Sequence, residues 1–190
     1  MLLDLLGCRP NLLTYLPLSN NMNIFVLSYD PVEAAQMASD RHSVKMILES
    51  AQMLCTVAAE YGVETPYKSS FRNHPCTRWV RDSRQNWLWL QTYALALCQE
   101  YTHRYGKTHK SESVIGEILT PDLPNNGLTT FPQVMPEEYR DVDTVKAYRR
   151  YYAEGKGYMN KGQGPLWVKD PRRQPMWFKD MNQYPNSGSV

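Results

Sequence analysis

Residues 30–61, DPVEAAQMASDRHSVKMILESAQMLCTVAAEY, decide the fold. Asp30-Pro31-Val32-Glu33 is a strong helix start: Asp30 can cap, Pro31 suits the first helical position, and Glu33 can reach back to the cap. Met37, Val44, Ile47, Leu48, Ala51, Leu54, Cys55 and Ala58 then follow helical spacing and define a buried stripe. The spacing predicts one long helix to about residue 61, stopped by Gly62. Just upstream, Ile24 to Leu27 is a short apolar run, read as extended chain that feeds this helix.

Downstream, a polar loop over 62–74 leads to Pro75 and a second long helix over 76–105. Val80, Trp87, Leu90, Ala94, Leu97 and Tyr101 form its apolar stripe, and Gly106 supplies the residue after its end. A short third helix starts at Ser111 and ends before Pro121. Residues 120–140 are Pro-rich without periodicity, with Phe131, Met135 and Tyr139 as packing anchors. Asp143 caps a fourth helix carrying Val145, Tyr148, Tyr151 and Tyr152, which ends at Gly155. The expected architecture is all-α: one compact helical domain over 22–155, with two long helices and shorter ones. A weakly ordered extension (1–21) precedes it, and a Pro- and Trp-rich C-terminal tail (156–190) follows.

Length and composition bound the class. At 190 residues the chain fits one domain with a real core, and its net charge of +2 gives no whole-molecule pull toward polyanions. Any nucleic-acid reading therefore rests on local clustering. Cys8, Cys55, Cys76 and Cys98 contain no C-x-x-C pair, and the four His are dispersed, so no metal site and no disulfide is expected. The apolar runs within residues 1–21 are broken by Pro10 and Pro17, too short to span a bilayer, and lack the basic start of a secretory signal. A reducing, cytoplasmic setting without a membrane or cofactor is the expectation; the oligomeric state is open. Tyr105-Gly106-Lys107 is not a phosphate-binding loop, since no Gly-x-x-x-x-Gly-Lys and no preceding strand accompany it.

Charge clusters at the two ends of the second helix. Arg72, His74, Arg78, Arg81 and Arg84 crowd its start; His103, Arg104, Lys107, His109 and Lys110 crowd its exit. A positive rim around an aromatic-rich body suits a phosphate-bearing ligand whose bases stack on rings. A solvated helix with cationic ends fits the same residues. Asn73-His74-Pro75 sits where free N–H groups and the helix dipole favour an anion, so His74 either holds a phosphate or simply caps. Of Trp79, Trp87 and Trp89, most are core and one is a candidate stacking surface.

Asp40 interrupts the stripe of the first helix, so its carboxylate faces inward or lies at the core's edge. An inward acid is expensive unless paired or used. Desolvation raises the pKa of a carboxylate, the route by which an acid becomes a general base near neutral pH. The alternative is a buried ion pair with an arginine of the second helix. Arg41, Lys45, Glu49 and Gln52 run along one neighbouring face as a salt-bridged surface, and His42 and Glu49 lie two turns apart on a flank with Met46 and Met53.

The order of these features resembles a known family. Phe25-Val26-Leu27, the Asp30 helix start with Asp40, Arg41 and Lys45 beyond it, Asn73-His74-Pro75, Trp79, Leu95-Ala96-Leu97-Cys98 and Glu100-Tyr101 are similar to phage and bacterial proteins of the pyrimidine-dimer DNA glycosylase type. Asn73-His74-Pro75…Trp79-Val80-Arg81-Asp82-Ser83…Asn86…Trp89-Leu90 and Glu100-Tyr101-Thr102-His103-Arg104-Tyr105-Gly106-Lys107…His109-Lys110-Ser111 look closest to a phage-borne branch. The resemblance covers about residues 22–152. It implies an all-α fold that clamps DNA, flips a base and cleaves the N-glycosidic bond. It also implies a free N-terminal amine as nucleophile beside a helix carboxylate.

By position Asp40 would be that carboxylate, with Glu49 as its substitute and His74 as a further catalytic candidate. Arg41, His42, Lys45, Asn73, Trp79, Arg81, Asn86, Arg104, Lys107 and Lys110 would meet substrate or phosphate. In one respect the chain departs from the pattern. It begins 21 residues before the expected amine, and Asn23 stands in place of the small residue that becomes the new terminus.

Three functions follow as expectations: a phage-type DNA glycosylase acting on a damaged or modified base; a non-catalytic nucleic-acid-binding accessory protein, with Asp40 locked in a salt bridge; or an enzyme acting on a free nucleotide. A DNA partner is expected in the first two, in the host cytoplasm for a phage protein. The first also predicts a cleft joining Asp40, His74 and Arg81.

Overall fold

The computed structural model describes residues 22–183; the expected extension over 1–21, Cys8 and the last residues lie outside them. The architecture is all-α, with eight α-helices and no strand among the described residues. The first long helix is interrupted. α1 spans Pro31–Met37 and α2 spans Asp40–Glu60. Between them Ala38 and Ser39 are extended, with ψ of 137° and 163°. The break has a long-range cause. The Ser39 N–H donates to the Tyr152 hydroxyl at 2.9 Å, and the Asp40 N–H to the Leu166 carbonyl at 2.8 Å. Donors that would continue the helix are taken by residues more than a hundred positions away.

The second long helix breaks in the same way. α3 spans Pro75–Asp82 and α4 spans Arg84–Tyr105, with Ser83 extended between them. Its Oγ accepts from the Gln85 N–H and donates to the Gly127 carbonyl, and the Arg84 N–H donates to the Pro124 carbonyl. The Pro-rich segment thus satisfies the break. Gly106 ends α4 in the left-handed region at φ 64°, as its position predicts. α5 is Glu112–Glu117 after Ser111, and α6 is Thr144–Arg150 capped by Asp143. A π-helical turn, Tyr151–Gly155, follows α6; a short turn, α7 (Met159–Gly162), and α8 (Met176–Gln183) complete the order.

Two capping details matter. Asp30 accepts from the Val32 and Glu33 N–H groups, whereas Glu33 reaches the cap through Ser28, whose Oγ donates to Glu33 and accepts from the Asp30 N–H. The buried stripe of α2 is also rotated from its expected place. Leu48 is 43% exposed, and Met46, Met53 and Val57 are buried instead. The reason is the segment 22–28, buried throughout, which packs on the flank of α2 that carries His42, Met46 and Glu49.

α2 and α4 pack against each other, with α1 on α4 and α3 against both. Phe131 of the Pro-rich segment stacks on Trp79 at 4.7 Å and meets Trp89 edge-on at 4.8 Å. The residues after Gly155 return to the core: Trp167 is buried, its indole N–H reaches the Met37 carbonyl at 3.1 Å, and Phe178 lies edge-on to it at 4.7 Å. Cys55, Cys76 and Cys98 are buried free thiols.

Candidate active site

A helix of 3.6 residues per turn places His42, Met46, Glu49 and Met53 on one flank. In α2 that flank is buried, so Glu49 is carried into the interior midway along a rigid rod. Its carboxylate has two close partners. Lys45 Nζ sits at 2.8 Å, one turn back, and the backbone N–H of Asn23 donates at 3.2 Å. Asn23 is itself held. Its side-chain NH2 donates to the Val134 carbonyl, and its side-chain oxygen accepts from the Tyr148 hydroxyl at 2.8 Å. Burial pushes the Glu49 carboxyl above its ordinary value; Lys45, the Asn23 amide and the charge of Lys156 oppose that rise.

His42 stacks on Phe25 at 4.3 Å and 20°, and its Nδ1 lies 2.7 Å from the Tyr152 hydroxyl. Burial, followed by the charges of Lys156, Lys45 and Arg41, drives its pKa down to about 3. The imidazole is therefore neutral at physiological pH. Nearby on α4, Tyr93 is buried with no partner for its hydroxyl, and desolvation raises its pKa. The Ser50 hydroxyl, next to Glu49 in sequence, is also buried without a partner. The interior around Glu49 and His42 thus collects one carboxylate, one neutral imidazole, the charges of two lysines and the unpartnered Tyr93 hydroxyl.

Asp40 lies elsewhere, at the first position of α2. Its carboxylate meets Arg104 at 3.4 Å and accepts the Lys169 N–H at 2.9 Å. The Tyr105 hydroxyl donates to its carbonyl. Arg104, fully buried, also pairs with Glu100 at 2.9 Å and donates to the carbonyls of Ala38 and Gln36. The contacts of Asp40 match the ion pair with an arginine of the second helix. Nine residues of helix separate Asp40 from Glu49, roughly 14 Å.

Arg81 is at the far end. Its guanidinium donates to Glu60 at 3.0 Å and to the Arg72 carbonyl at 2.9 Å, and Arg72 binds the same carboxylate. Asp40 and Glu60 close opposite ends of α2, about 30 Å apart. No single cleft joins Asp40 to Arg81. His74 caps α3, its Nδ1 accepting from the Cys76 N–H at 3.2 Å, with its pKa lowered by burial; Asn73 beside it is exposed.

Trp79 is buried against Phe131 and donates to the Thr129 carbonyl, while lining a shallow groove with Pro75, Arg78 and Thr130. Asn86 is buried and tied to Trp79 and Thr129. Arg41, Lys107 and Lys110 are exposed. Of the expected residues, the structure brings together Lys45 and Glu49, with His42 on the same flank and Arg41 at the edge, and separately Asp40 with Arg104 and Trp79 with Asn86.

Sequence reasoning missed Lys156, Tyr151, Tyr152 and Tyr93 as residues of this buried cluster. One signal was present: Gly155-Lys156-Gly157 sets a lysine between two glycines after an aromatic helix. Among the described residues no group of three His, Cys, Asp or Glu side chains could hold a metal ion, and no helix is long and apolar enough to cross a membrane.

No curated protein and no solved structure matches the chain. A family model does: residues 22–113 match that of the pyrimidine dimer DNA glycosylases. The matched stretch begins at Met22, one residue before Asn23, and takes in Glu49 and all of α1 to α4, while Lys156 lies beyond it. The chain resembles the pyrimidine dimer DNA glycosylases over the segment that brings the Asn23 backbone nitrogen to the Glu49 carboxylate.

Proposed function

We propose that this protein is a DNA glycosylase that releases a damaged or modified base, with Glu49, rather than Asp40, as the reacting carboxylate. The observation that carries the reading is the buried 3.2 Å contact between the Asn23 backbone nitrogen and Glu49. In a chain that starts at Asn23 this nitrogen is a primary amine. It would attack C1′ of the flipped nucleotide as the glycosidic bond breaks and the base leaves with the bonding electrons. Glu49 takes the proton that the amine sheds. The C1′–O4′ bond of the resulting aminal then breaks, O4′ taking the proton held by Glu49, and the imine left at C1′ is the intermediate that permits strand cleavage.

In a chain that continues upstream the same nitrogen is an amide and no nucleophile. Glu49 then deprotonates a water that attacks C1′, and base release proceeds without a covalent intermediate. Arg41, Lys107 and Lys110, all exposed, meet backbone phosphates, and the reaction takes place on DNA in the cytoplasm.

One observation favours a second reading. Asp40 is held by Arg104 and Lys169, as a non-catalytic nucleic-acid-binding protein would hold it. Borohydride trapping on duplex DNA containing an abasic site or a pyrimidine dimer separates the two. We expect an adduct from a chain beginning at Asn23, base release without adduct from the 190-residue chain, and neither from Glu49→Gln. DNA binding with no base release from either chain would establish the binding role instead.

A further inference from the structure

Asn23 is 6% exposed, and both polar groups of its side chain are engaged. The side-chain oxygen accepts from the Ile24 N–H at 2.8 Å and from the Tyr148 hydroxyl at 2.8 Å. The side-chain NH2 donates to the Val134 carbonyl at 2.9 Å. Two distant parts of the chain thus meet at the residue whose backbone nitrogen lies 3.2 Å from Glu49.

Tyr148, on α6, is fully buried and lies beyond the stretch over which the chain resembles the glycosylases. Its hydroxyl does not serve Asn23 alone. It also lies 2.8 Å from the Pro132 carbonyl and accepts the Val134 N–H at 3.2 Å. Pro132 and Val134 belong to a strap that is anchored on both sides. Upstream, Thr129 is tied to Asn86 and to the Trp79 indole, and Phe131 stacks on Trp79. Within it, Gln133 exchanges two hydrogen bonds with the backbone of Asp141. The Tyr148 hydroxyl therefore joins a fixed strap to the Asn23 side chain.

We propose that Tyr148 is a positioning residue for the reacting nitrogen: its hydroxyl, together with the Val134 carbonyl, grips the Asn23 side chain and so keeps the Asn23 backbone nitrogen against the Glu49 carboxylate. The inference rests on Glu49 and that nitrogen as the reacting groups. A chain end is poorly held unless something ties it down. In a chain that starts at Asn23 the peptide on one side is gone, and the side chain supplies the second hold. In a chain that continues upstream the same grip keeps the Asn23 N–H on Glu49 and aims the carboxylate. In either case a displacement of about 1 Å at the reacting atoms costs about 100-fold in rate. A phenylalanine at 148 would fill the same space and hold nothing.

The test measures amide hydrogen exchange and base release on the full chain, native and with Tyr148→Phe, Asn23→Ala and both together. In Tyr148→Phe we expect the Asn23 amide to exchange at least about tenfold faster, beyond any acceleration shared by the buried helical amides of Leu54 and Leu97. Base release in single turnover should fall about 10- to 100-fold, with affinity for lesion-bearing DNA changed less than about twofold. Asn23→Ala should lose a similar factor. In its background Tyr148→Phe should cost nothing more, because the hydroxyl acts through the Asn23 side chain. Losses that multiply in the double variant would overturn the inference, since the hydroxyl would then act by another route. So would an Asn23 amide that accelerates only as much as Leu54 and Leu97, the mark of a general loss of stability. A native chain that releases no base refutes the catalytic reading separately; exchange at Asn23 needs no activity and still decides whether Tyr148 holds the nitrogen.

Discussion

Arg104 and Glu100 meet at 2.9 Å with neither side chain reaching solvent to any extent. Glu100 takes a second cation, Arg173, at 2.7 Å, and Arg104 spends its remaining donors on Asp40 and on the carbonyls that end α1. The pair therefore joins the break between α1 and α2, the end of α4, and the chain around residue 170.

Removing one partner of such a buried pair strands the other. Arg104→Met is expected to lower the unfolding free energy by about 3–5 kcal/mol. Urea denaturation monitored by circular dichroism measures it. A loss below about 1 kcal/mol would mean that Glu100 and Asp40 find other partners.

Glu49→Gln keeps the size of the side chain and removes the proton acceptor. We expect base release to fall at least about 100-fold, with affinity for a lesion-bearing duplex changed less than about twofold. Single-turnover release and equilibrium binding measured on the same preparation check both halves. The same substitution at Asp40, by contrast, should act first on stability.

His42 sets a pH dependence of stability. Its folded pKa of about 3 lies below the ordinary value of 6.5, so below pH 6.5 the unfolded chain binds a proton that the folded one refuses. Stability is flat in this respect above pH 6.5 and falls by up to about 1.4 kcal/mol for each unit below it. Glu49 acts in the opposite sense just above 4.5, where its raised pKa lets the folded state hold the extra proton. Denaturation midpoints between pH 5 and 8, native chain against His42→Gln, should show the slope reduced in the variant to the share of His74 and His109. An unchanged slope would assign it to His74 and His109, which burial shifts the same way.

Arg81 and Arg41 should behave oppositely. Arg81 is committed to Glu60, so Arg81→Ala is expected to lower stability by about 1–2 kcal/mol and leave DNA affinity alone. Arg41 is exposed beside His42, so Arg41→Ala should weaken DNA binding and reduce the slope of log affinity against log salt by about 0.9. A salt titration of both variants decides it.

How much of this was legible in the sequence depends on the range of the interaction that sets each feature. Asp30, Pro31, Gly106, Ser111 and Asp143 act within a few residues of themselves, and each marks a helix end where it was expected. The breaks at Ser39 and Ser83 were not legible, because Tyr152, Leu166, Pro124 and Gly127 create them from afar. Periodicity placed Leu48 inside and left Glu49 on a salt-bridged surface, since nothing local announces that residues 22–28 lie along that side of α2. The same holds for Asp40: its inward direction was readable, but its engagement by Lys169 was not.

α2 carries three acids at three stations, and only the middle one meets the Asn23 nitrogen: Asp40 is clamped at one end and Glu60 at the other. A straight helix fixed at both tips is a beam, and Glu49 is a tool mounted near its middle. Loosening either clamp rotates or slides the tool without altering its chemistry. Substitutions at Asp40, Arg104, Glu60 or Arg81 will thus imitate active-site defects from as much as half a helix away. The aim of Glu49 is set where the beam is bolted down.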